Sequence, residues 1–283
     1  MAMNLKILEK SSTHLKILFE NVPYPILNAL RRISMSEVPT MAIDEVLFID
    51  NTSAIYDEIL AHRIGLIPLR SDIALEKYLS PDICAKCTEP EPPPELRELC
   101  RKCFVHLSLD VRSDNNVVTI YSKDLKSDDP DVIPVSGEIP IAVLGPNQRI
   151  AFEARARLGK GKEHIKWSPV TVISTTYVAK ITIDNESCTL CGECTKVCPE
   201  KILKIENNKL IVTNELKCSL CRQCVKVCKP EAIEISHYDN KHILFLESSG
   251  ALKPERIIFE ALKIILNKIN KLQSKLKSLG VIS

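Results

Sequence analysis

Eight regularly spaced cysteines between residues 188 and 228 constrain this chain more than any other feature. They form two copies of the pattern C-x2-C-x2-C-x3-C, and each cysteine of the second copy lies 30 residues after its counterpart. Three thiolates separated by two residues each can hold one cubane [4Fe–4S] cluster from a single loop. The spacing therefore predicts two such clusters. The cysteines are Cys188, Cys191, Cys194 and Cys198 in the first copy, and Cys218, Cys221, Cys224 and Cys228 in the second.

The fourth cysteine of each copy is predicted to bind the cluster of the other copy, because it lies too far around the turn to reach its own. The first cluster is thus assigned Cys188, Cys191, Cys194 and Cys228. The second cluster is assigned Cys198, Cys218, Cys221 and Cys224. The alternatives are two zinc sites or a disulfide framework, although zinc ligands seldom form strings of four cysteines.

Short apolar segments accompany both motifs. The stretch "KILKIENNKLIVTNE" (201–215) predicts two strands around a turn at Asn207-Asn208, and "AIEISHYDNKHILFLES" (232–248) predicts a second strand–turn–strand unit. With the cysteines, these segments resemble the pseudo-twofold fold of dicluster ferredoxins over residues 184–247. One departure is that Lys229 separates Cys228 from Pro230, whereas the first motif has Pro199 directly after its last cysteine.

A third group of cysteines has the spacing C-x2-C-x12-C-x2-C. Two thiolate pairs on facing knuckles can complete a tetrahedron around Zn²⁺, so the spacing predicts a zinc site. A pair of disulfides, or free thiols in a surface loop, are the alternatives. The connecting loop "TEPEPPPELREL" (88–99) predicts an extended start followed by one helical turn. The cysteines of this group are Cys84, Cys87, Cys100 and Cys103.

The composition favours metal binding as the use of the twelve cysteines. The segment "MAMNLKILEKSS" has no long apolar stretch or cleavage site of a secretory signal, so we expect a cytoplasmic protein, where disulfides are rare. No apolar run reaches the roughly 18 residues of a membrane span. The net charge of +2 gives no general attraction to nucleic acid. A chain of 283 residues allows one large domain or two to three ordinary ones.

We find no catalytic motif in the sequence. Gly159-Lys160-Gly161 is followed by His164 where a dinucleotide-binding fingerprint requires glycine, and no P-loop is present. His62 and His164 are predicted to be structural hydrogen-bonding residues. The acidic run 128–131 predicts a solvated turn rather than a cation site. We therefore expect that this chain carries no catalytic site.

Hydrophobic periodicity predicts a mixture of strands and helices, and hence an α+β fold. "HLKILFE" (14–20) predicts a half-buried strand, and the segment from Pro23 to Pro39 predicts a helix. A strand over 41–51 and a short helix ending at Gly65 follow. Segments 104–121 and 131–182 are mostly strand-like, with turns at 114–116 and 145–147.

The C-terminal segment predicts the longest helix, from Pro254 to just before Gly280. Its apolar residues alternate at spacings of four and three, which is the heptad pattern of a helix that packs along a partner helix. Periodicity alone leaves open whether that partner belongs to the same chain or to a second one. The residues of this seam are Ile258, Leu262, Ile265, Ile269, Leu272, Leu276 and Leu279.

Residues 28–68 resemble the signature of the alpha-type assembly subunits of multisubunit RNA polymerases. The resemblance rests on Asn28 with Arg31-Arg32, Pro39 with Ala42, Asn51 with Ser53, Asp57-Glu58, His62-Arg63, Gly65-Leu66 and Pro68. A second stretch, "LGKGKEHIKWSPV" (158–170), is similar to the archaeal and eukaryotic members. The iron–sulfur motifs narrow the resemblance to the archaeal members of the family, the D-type subunits, and it covers essentially the whole chain.

The resemblance implies an architecture of three parts. A discontinuous dimerisation domain would comprise residues 1–41, 165–183 and 248–283. A mainly β domain at 42–164, carrying the Cys84–Cys103 segment, would be inserted in it, together with the ferredoxin-like domain at 184–247.

The resemblance also implies partners. The C-terminal helix would pack against the equivalent helix of a small L subunit, and this heterodimer would be the platform for the large catalytic subunits and the other small assembly subunits. Arg31 and Arg32 would lie on the helix that approaches the large subunits, unless they simply form a solvated face. DNA would be contacted only indirectly, through the complex.

The clusters are then expected to be structural or to regulate assembly, since a redox enzyme would need a further centre that the sequence does not contain. The alternative is an electron-transfer subunit of an oxidoreductase with a ferredoxin domain.

Overall fold

A computed structural model describes residues 2–88 and 97–281. The fold is α+β with several antiparallel sheets, as predicted from the sequence. The chain divides into two compact units. The first contains residues up to Lys10, 16–28 and 174–245, and the second contains 11–15, 29–173 and the residues from Leu246 onwards.

The α-helices of the described residues are mostly short, with two longer ones near the ends of the chain. They are α1 (Tyr24–Ser36), α2 (Asp57–Gly65), α3 (Ala74–Lys77), α4 (Pro81–Cys84), α5 (Arg97–Cys100), α6 (Glu193–Val197), α7 (Gln223–Val227) and α8 (Pro254–Ser278).

The strands fall into two four-stranded sheets and two two-stranded ones, ordered β1-β2-β12-β9, β3-β8-β4-β6, β5-β7 and β10-β11. Their bounds are β1 (Asn4–Lys10), β2 (His14–Glu20), β3 (Pro39–Asn51), β4 (Phe104–Arg112), β5 (Val118–Tyr121), β6 (Lys126–Ser127), β7 (Pro140–Leu144), β8 (Arg149–Lys160), β9 (Val170–Ile183), β10 (Leu203–Glu206), β11 (Lys209–Val212) and β12 (Ile233–Ser248).

The predicted hairpin between the two cysteine motifs is confirmed. β10 pairs antiparallel with β11, and Glu206 lies opposite Lys209. The two turn residues, Asn207 and Asn208, both have positive φ angles, 49° and 59°. Asparagine tolerates this left-handed conformation better than most residues, which explains why a two-residue turn forms here.

The predicted turn within 232–248 is wrong. β12 is one continuous strand through Asp239 and Asn240. It lies inside its sheet between β2 and β9, so pairing on both sides holds the polar dipeptide extended. The backbone carbonyl of Asn240 accepts a hydrogen bond from the N–H of Asn21 at 2.8 Å.

The second unit is built around the sheet β3-β8-β4-β6. β3 pairs with β8 from Pro39 opposite Lys160 to Asn51 opposite Ile150, and the register shifts between Ile43 and Glu45 and again between Phe48 and Asp50. Each shift is a β-bulge, which bends a strand and redirects a side chain. The core combines residues of this sheet, of β5 and β7 and of α2, among them Met41, Leu60, Leu107, Leu144 and Phe152.

The loop before α2 explains one part of the polymerase-like signature. The amide of Asn51 donates to the carbonyl of Ile55 at 2.9 Å and to the carboxylate of Asp57 at 2.6 Å. Its amide oxygen accepts from the backbone N–H of Ser53 at 3.1 Å. These bonds fix the turn between β3 and α2, so the Asn51–Ser53 pair has a structural role.

Two glycines of the "GKG" segment are required for close packing. A Cβ atom at Gly159 would overlap the ring of Trp167, and one at Gly161 would overlap the carbonyl oxygen of Met35. The segment thus brings the end of β8 into close contact with Trp167 and with the backbone of Met35.

The C-terminal helix forms as predicted. α8 begins at Pro254, and Gly280 follows its last turn with a φ of 68°. Ile257 and Ala261 are fully buried. None of the helices in the described ranges is both long and apolar enough to cross a membrane.

Candidate metal centres and partner surface

The two iron–sulfur motifs adopt the same local structure. Each is a loop followed by a five-residue helix, α6 in the first and α7 in the second. The exposure of the four cysteines follows the same order in both: intermediate, exposed, buried and intermediate. All eight thiols are free of disulfides. The sequence repeat of 30 residues is therefore also a structural repeat.

The backbone is strained at equivalent positions of the two motifs. Positive φ angles occur at Leu190 and Leu220, at Gly192 and Arg222, and at Lys201 and Glu231. A left-handed conformation costs a non-glycine residue about 1–2 kcal/mol. Such strain persists only where the surroundings hold the loop in one shape, which indicates that the loops are shaped for binding.

Each predicted set of four cysteines surrounds its own cavity. The first cavity is lined by Cys188, Cys191, Cys194 and Cys228, together with apolar residues that include Ile205, Leu210 and Ile233. The second is lined by Cys198, Cys218, Cys221 and Cys224, with Ile181, Leu203 and Ile235. The fourth cysteine of each motif thus lies at the cavity of the other motif. These sets of thiols, in apolar surroundings, fit [4Fe–4S] clusters, which thiolate ligands bind.

The surroundings of the thiols alter their pKa values. Burial raises the pKa of Cys194, and the nearby thiols of Cys188 and Cys191 add to the increase. Burial likewise raises the pKa of Cys218 and of Cys224. The pKa of the exposed Cys221 is lowered, mainly by a hydrogen bond from the backbone N–H of Gln223. Binding of iron at either cavity must therefore displace protons from buried thiols.

The core around the two cavities is small. Its buried members are Ile202, Leu203, Leu210, Ile233 and Ile235, with Cys194 and Cys224. Such a core provides little stability by itself.

The third cysteine group is paired as two disulfides. Cys84 is bonded to Cys103, and Cys87 is bonded to Cys100. This is the disulfide alternative, and in this state no thiolate is free to bind zinc. The four residues nevertheless lie together, as the zinc hypothesis requires, so zinc binding by the reduced thiols stays a prediction. Among the described residues we find no group of His, Cys, Asp and Glu side chains arranged for a single metal ion.

The loop between the two disulfides is partly described. Its predicted helical turn is confirmed as α5, which ends at Cys100. Its predicted extended part, 89–96, lies outside the described residues.

The predicted seam on α8 is mostly exposed. Leu262, Ile269 and Leu272 are 43%, 54% and 59% exposed, and Ile258, Ile265 and Leu276 are half-buried. Phe259 and Leu266, next to the seam, are also exposed. Of the two partners left open by periodicity, no helix within the described chain covers this face.

The two polymerase-like stretches meet in space at Asp44. This residue lies at the first bulge of β3, and its carboxylate accepts hydrogen bonds from Arg157 Nε at 2.7 Å and from Lys166 Nζ at 2.6 Å. Burial acts to raise the pKa of Asp44, but these two hydrogen bonds outweigh it and the pKa is lowered. Both cations also lie over the ring of Trp167, at 4.4 and 4.3 Å.

A pocket beside Asp44 contains the two histidines of those stretches. Its lining includes His62 and Leu66 of the first stretch and His164 and Lys166 of the second. His164 Nδ1 accepts a hydrogen bond from the backbone N–H of Lys166 at 3.1 Å, which confirms the predicted structural role of this histidine.

Arg31 and Arg32, which the resemblance places on the helix that approaches the large subunits, lie on α1. Arg32 is exposed, whereas Arg31 is half-buried with one guanidinium nitrogen 3.8 Å from the sulfur of Met35. Leu27 and Leu30 are buried on another face of the same helix.

The acidic run 128–131 differs from the prediction of a solvated turn. Asp129 is buried, and its carboxylate accepts hydrogen bonds from Lys77 at 2.7 Å and from the hydroxyl of Tyr78. Burial acts to raise the pKa of Asp129, but its hydrogen bonds to Lys77 and Tyr78 lower it overall. Sequence reasoning missed this group because its partners lie some 50 residues away in the chain.

Comparison with known proteins agrees with this geometry. Residues 46–185 match the family model described as the RNA polymerase Rpb3/RpoA insert domain, and residues 180–229 match the 4Fe-4S dicluster domain. The chain is 35% identical to DNA-directed RNA polymerase subunit Rpo3 of Aeropyrum pernix, over 98% of this chain and 96% of that protein. It is 37% identical to subunit Rpo3 of Methanothermobacter thermautotrophicus, over 94% and 96%.

The chain belongs to the Rpo3 family of DNA-directed RNA polymerase subunits. Subunit Rpo3 of Methanosarcina acetivorans is also similar, with 35% identity over 99% of this chain and the whole of that protein. As a member of the Rpo3 family, the chain is a subunit of an RNA polymerase complex and carries a 4Fe-4S dicluster domain with eight cysteines.

Proposed function

We propose that this chain is a non-catalytic assembly subunit that heterodimerises with a small L-type subunit to form the platform for the large catalytic subunits. The observation that carries the proposal is the exposed apolar seam of α8 in a member of the Rpo3 family. An apolar seam of this kind, exposed along a helix of 25 residues, is typical of a surface that packs against a partner helix.

The proposed dimerisation domain is discontinuous and comprises residues 1–41, 165–183 and 248–283. The proposed β insert comprises 42–164, and the proposed ferredoxin-like domain comprises 184–247. Arg32, exposed on α1, is available for contact with a large subunit. In this proposal the complex works in the cytoplasm and contacts DNA through its other subunits.

The proposed role of the two clusters, one in each cavity, is structural. Metal binding can contribute folding free energy of about 10 kcal/mol, which exceeds the stability of many domains. The small core around the cavities and the strained loop residues Leu190, Leu220 and Arg222 support this role, because both need an additional source of stability.

A second proposed role is the sensing of oxidants. Cys191 and Cys221 are exposed, so one ligand of each cluster is accessible from solvent. Loss of a cluster by oxidation would remove the support of its loop and thereby affect assembly.

Co-purification tests the proposed function. Affinity-tagged chain, expressed with the L-type subunit of the same genome, should elute as a one-to-one complex and should then recruit the large polymerase subunits. An electron-transfer subunit would instead co-purify with a flavoprotein or a dehydrogenase. A stable monomer in the presence of the L-type subunit would contradict the proposal.

The sensing role needs its own experiment. Heterodimer formation and polymerase reconstitution should be measured for wild type and for Cys188→Ser with Cys218→Ser, under reduced and oxidised conditions. If oxidation lowers assembly of wild type to the level of the variant, the role is supported. Unchanged assembly in all four samples would exclude it.

A further inference from the structure

The charges of α8 are distributed unevenly along the helix. Its first turns contain both signs, and Glu260 forms ion pairs with Arg256 at 2.8 Å and with Lys263 at 3.2 Å. From Ala261 to Val281 the sequence has five lysines and no acidic residue. The positive residues are Lys263, Lys268, Lys271, Lys275 and Lys277.

Three of these lysines are not in contact with an acidic side chain of the described chain. Lys268 forms an ion pair with Glu37, and Lys263 is bonded to Glu260. Lys271, Lys275 and Lys277 form no ion pair with any described residue. The surface of the helix is therefore positive along the same turns in which its apolar seam is exposed.

Two lysines outside α8 extend this positive surface. Lys160 is the last residue of β8, and Lys162 follows two residues later. The positive charges of these two lysines and of Lys271 all lower the pKa of Asp82. Asp82 is bonded to Lys160 at 2.5 Å, so the single acid in this group already has a partner. The group retains a net positive charge.

We infer that α8 selects, by charge, a partner helix whose apolar seam is flanked by acidic residues, and that it disfavours a second copy of this chain. The apolar seam of α8 would pack equally well against a second copy of itself and against another helix with the same apolar seam. Apolar contact alone therefore cannot distinguish a homodimer from a heterodimer. Lys268 and Lys275 occupy the heptad positions that flank a seam and set partner choice in coiled helices. A second copy would bring lysines against lysines, whereas acidic flanks would be attracted.

This inference rests on the proposed function, since it concerns the same partner surface. It adds the chemistry of the partner and a reason why the chain forms heterodimers rather than homodimers. Because the lysines are exposed, the selection must weaken as salt screens the charges.

The test uses the full-length chain and two synthetic helical peptides with one apolar seam. One peptide has Glu at all flanking positions, and the other has Lys at the same positions. Binding is measured by fluorescence anisotropy at low and high NaCl concentration. We expect the Glu peptide to bind at least about tenfold more tightly at low salt, and this difference to shrink at high salt.

A charge-reversal variant provides the matched comparison. Lys268→Glu with Lys275→Glu, at the two flanking positions, should lose about tenfold in affinity for the Glu peptide and gain affinity for the Lys peptide. The affinities of the neutral variant, Lys268→Gln with Lys275→Gln, should lie between those of wild type and of the charge-reversed variant. Lys204→Glu with Lys209→Glu, on the exposed hairpin β10–β11, changes the net charge equally and should leave the preference unchanged.

Two outcomes would overturn the inference. They are equal binding of both peptides by wild type at low salt, and self-association of wild type as tight as its binding of the Glu peptide, measured by sedimentation velocity. Binding of the L-type subunit distinguishes a failure of the charge selection from a failure of the proposed function. If it binds wild type and the reversed variant equally, charge selection fails and the heterodimer stands. If it binds neither while the Glu peptide is preferred, the proposed heterodimer fails and the selection stands.

Discussion

Arg157 donates from its Nε to the Oδ2 of Asp44 across 2.7 Å, and this bond links the end of strand β8 to the bulge of strand β3. Lys166 binds the other oxygen of the same carboxylate. One acidic side chain therefore holds together the two polymerase-like stretches of the sequence.

Replacement of Asp44 should show what this link contributes. Asp44→Asn leaves Lys166 without an acidic partner among the described residues and leaves Arg157 with only Glu163, at 3.3 Å, so we expect the free energy of unfolding to fall by about 2 kcal/mol in urea denaturation. Asp110→Asn is the control, because the Arg149–Asp110 pair is exposed and its loss should change stability little. Equal effects of both variants would contradict the argument.

The link should also depend on pH. The pKa of Asp44 is lowered in the folded state, so its contribution is present above the ordinary value of 3.8 and is lost as the pH falls through the folded-state pKa. Denaturation measured at a series of pH values from about 6 to about 3 should show wild type and Asp44→Asn converging at the acidic end. A constant difference between them would contradict this assignment.

Two isoleucines of α8 should respond differently to substitution. Ile257 is fully buried, so Ile257→Ala should lower the free energy of unfolding by about 3 kcal/mol. Ile269 is exposed, so Ile269→Glu should leave the stability of the isolated chain unchanged but abolish binding of the L-type subunit. Denaturation and gel filtration with the L-type subunit test the two expectations. Retained binding by Ile269→Glu would argue against the seam as the interface.

The ligand sets can be tested by iron content. We expect anaerobically purified wild type to contain about eight irons per chain, and Cys188→Ser about four, because only the first cavity loses a ligand. Cys87→Ser, outside both cavities, is the control and should retain the wild-type content. If Cys188→Ser kept all its iron, the assignment of this residue would be wrong.

The remaining cysteines should respond to reduction. Cleavage of the Cys84–Cys103 and Cys87–Cys100 disulfides frees four thiols that lie together, and we expect these to bind about one zinc per chain. Thiol titration and metal analysis before and after reduction measure both quantities. Cys100→Ser should abolish zinc uptake without altering iron content. A reduced chain that binds no zinc would leave disulfides as the sole use of this group.

His242 should make stability depend on pH near neutrality. It is fully buried beside Tyr24 and Tyr177, and neither ring nitrogen has a hydrogen-bond partner among the described residues. Burial lowers the pKa of His242 and nearby His237 adds to the decrease, although the proximity of the backbone and the negative charge of Asp239 partly opposes it. The unfolded chain thus binds the proton more readily, and stability should decrease as the pH falls below 6.5.

His242→Phe should remove that dependence, while His106→Gln, at an exposed position, should not. Thermal unfolding of the three proteins at about pH 7.5 and about pH 5.5 makes the comparison. An equal loss of stability in wild type and His242→Phe would assign the pH dependence to other groups.

The two cavities could be predicted from the cysteine motifs, because the spacing of the cysteines restricts the geometry of each loop. The cross-assignment of Cys198 and Cys228 followed from the same restriction. The hairpin at Asn207-Asn208 could be predicted because its turn is determined by two adjacent residues. These features depend on contacts that are local in sequence or repeated with a fixed period.

Contacts between distant segments could not be predicted in this way. The turn expected near Asp239 does not form, because pairing with two neighbouring strands outweighs the local preference. Asp129 is buried because Lys77 and Tyr78 reach it from another segment. The bulge that redirects Asp44 depends on the register between β3 and β8, which no single stretch of sequence specifies.

The cluster-binding segment leaves the sheet at the end of β9 and returns at the start of β12, and these two strands are neighbours. The N–H of Asp184 donates to the carbonyl of Ala232 at 2.9 Å, so the two ends of segment 184–232 are in contact. A two-residue turn is enough to join antiparallel strands whose ends are this close. Replacing residues 184–232 by such a turn would therefore leave the strand order β1-β2-β12-β9 unchanged.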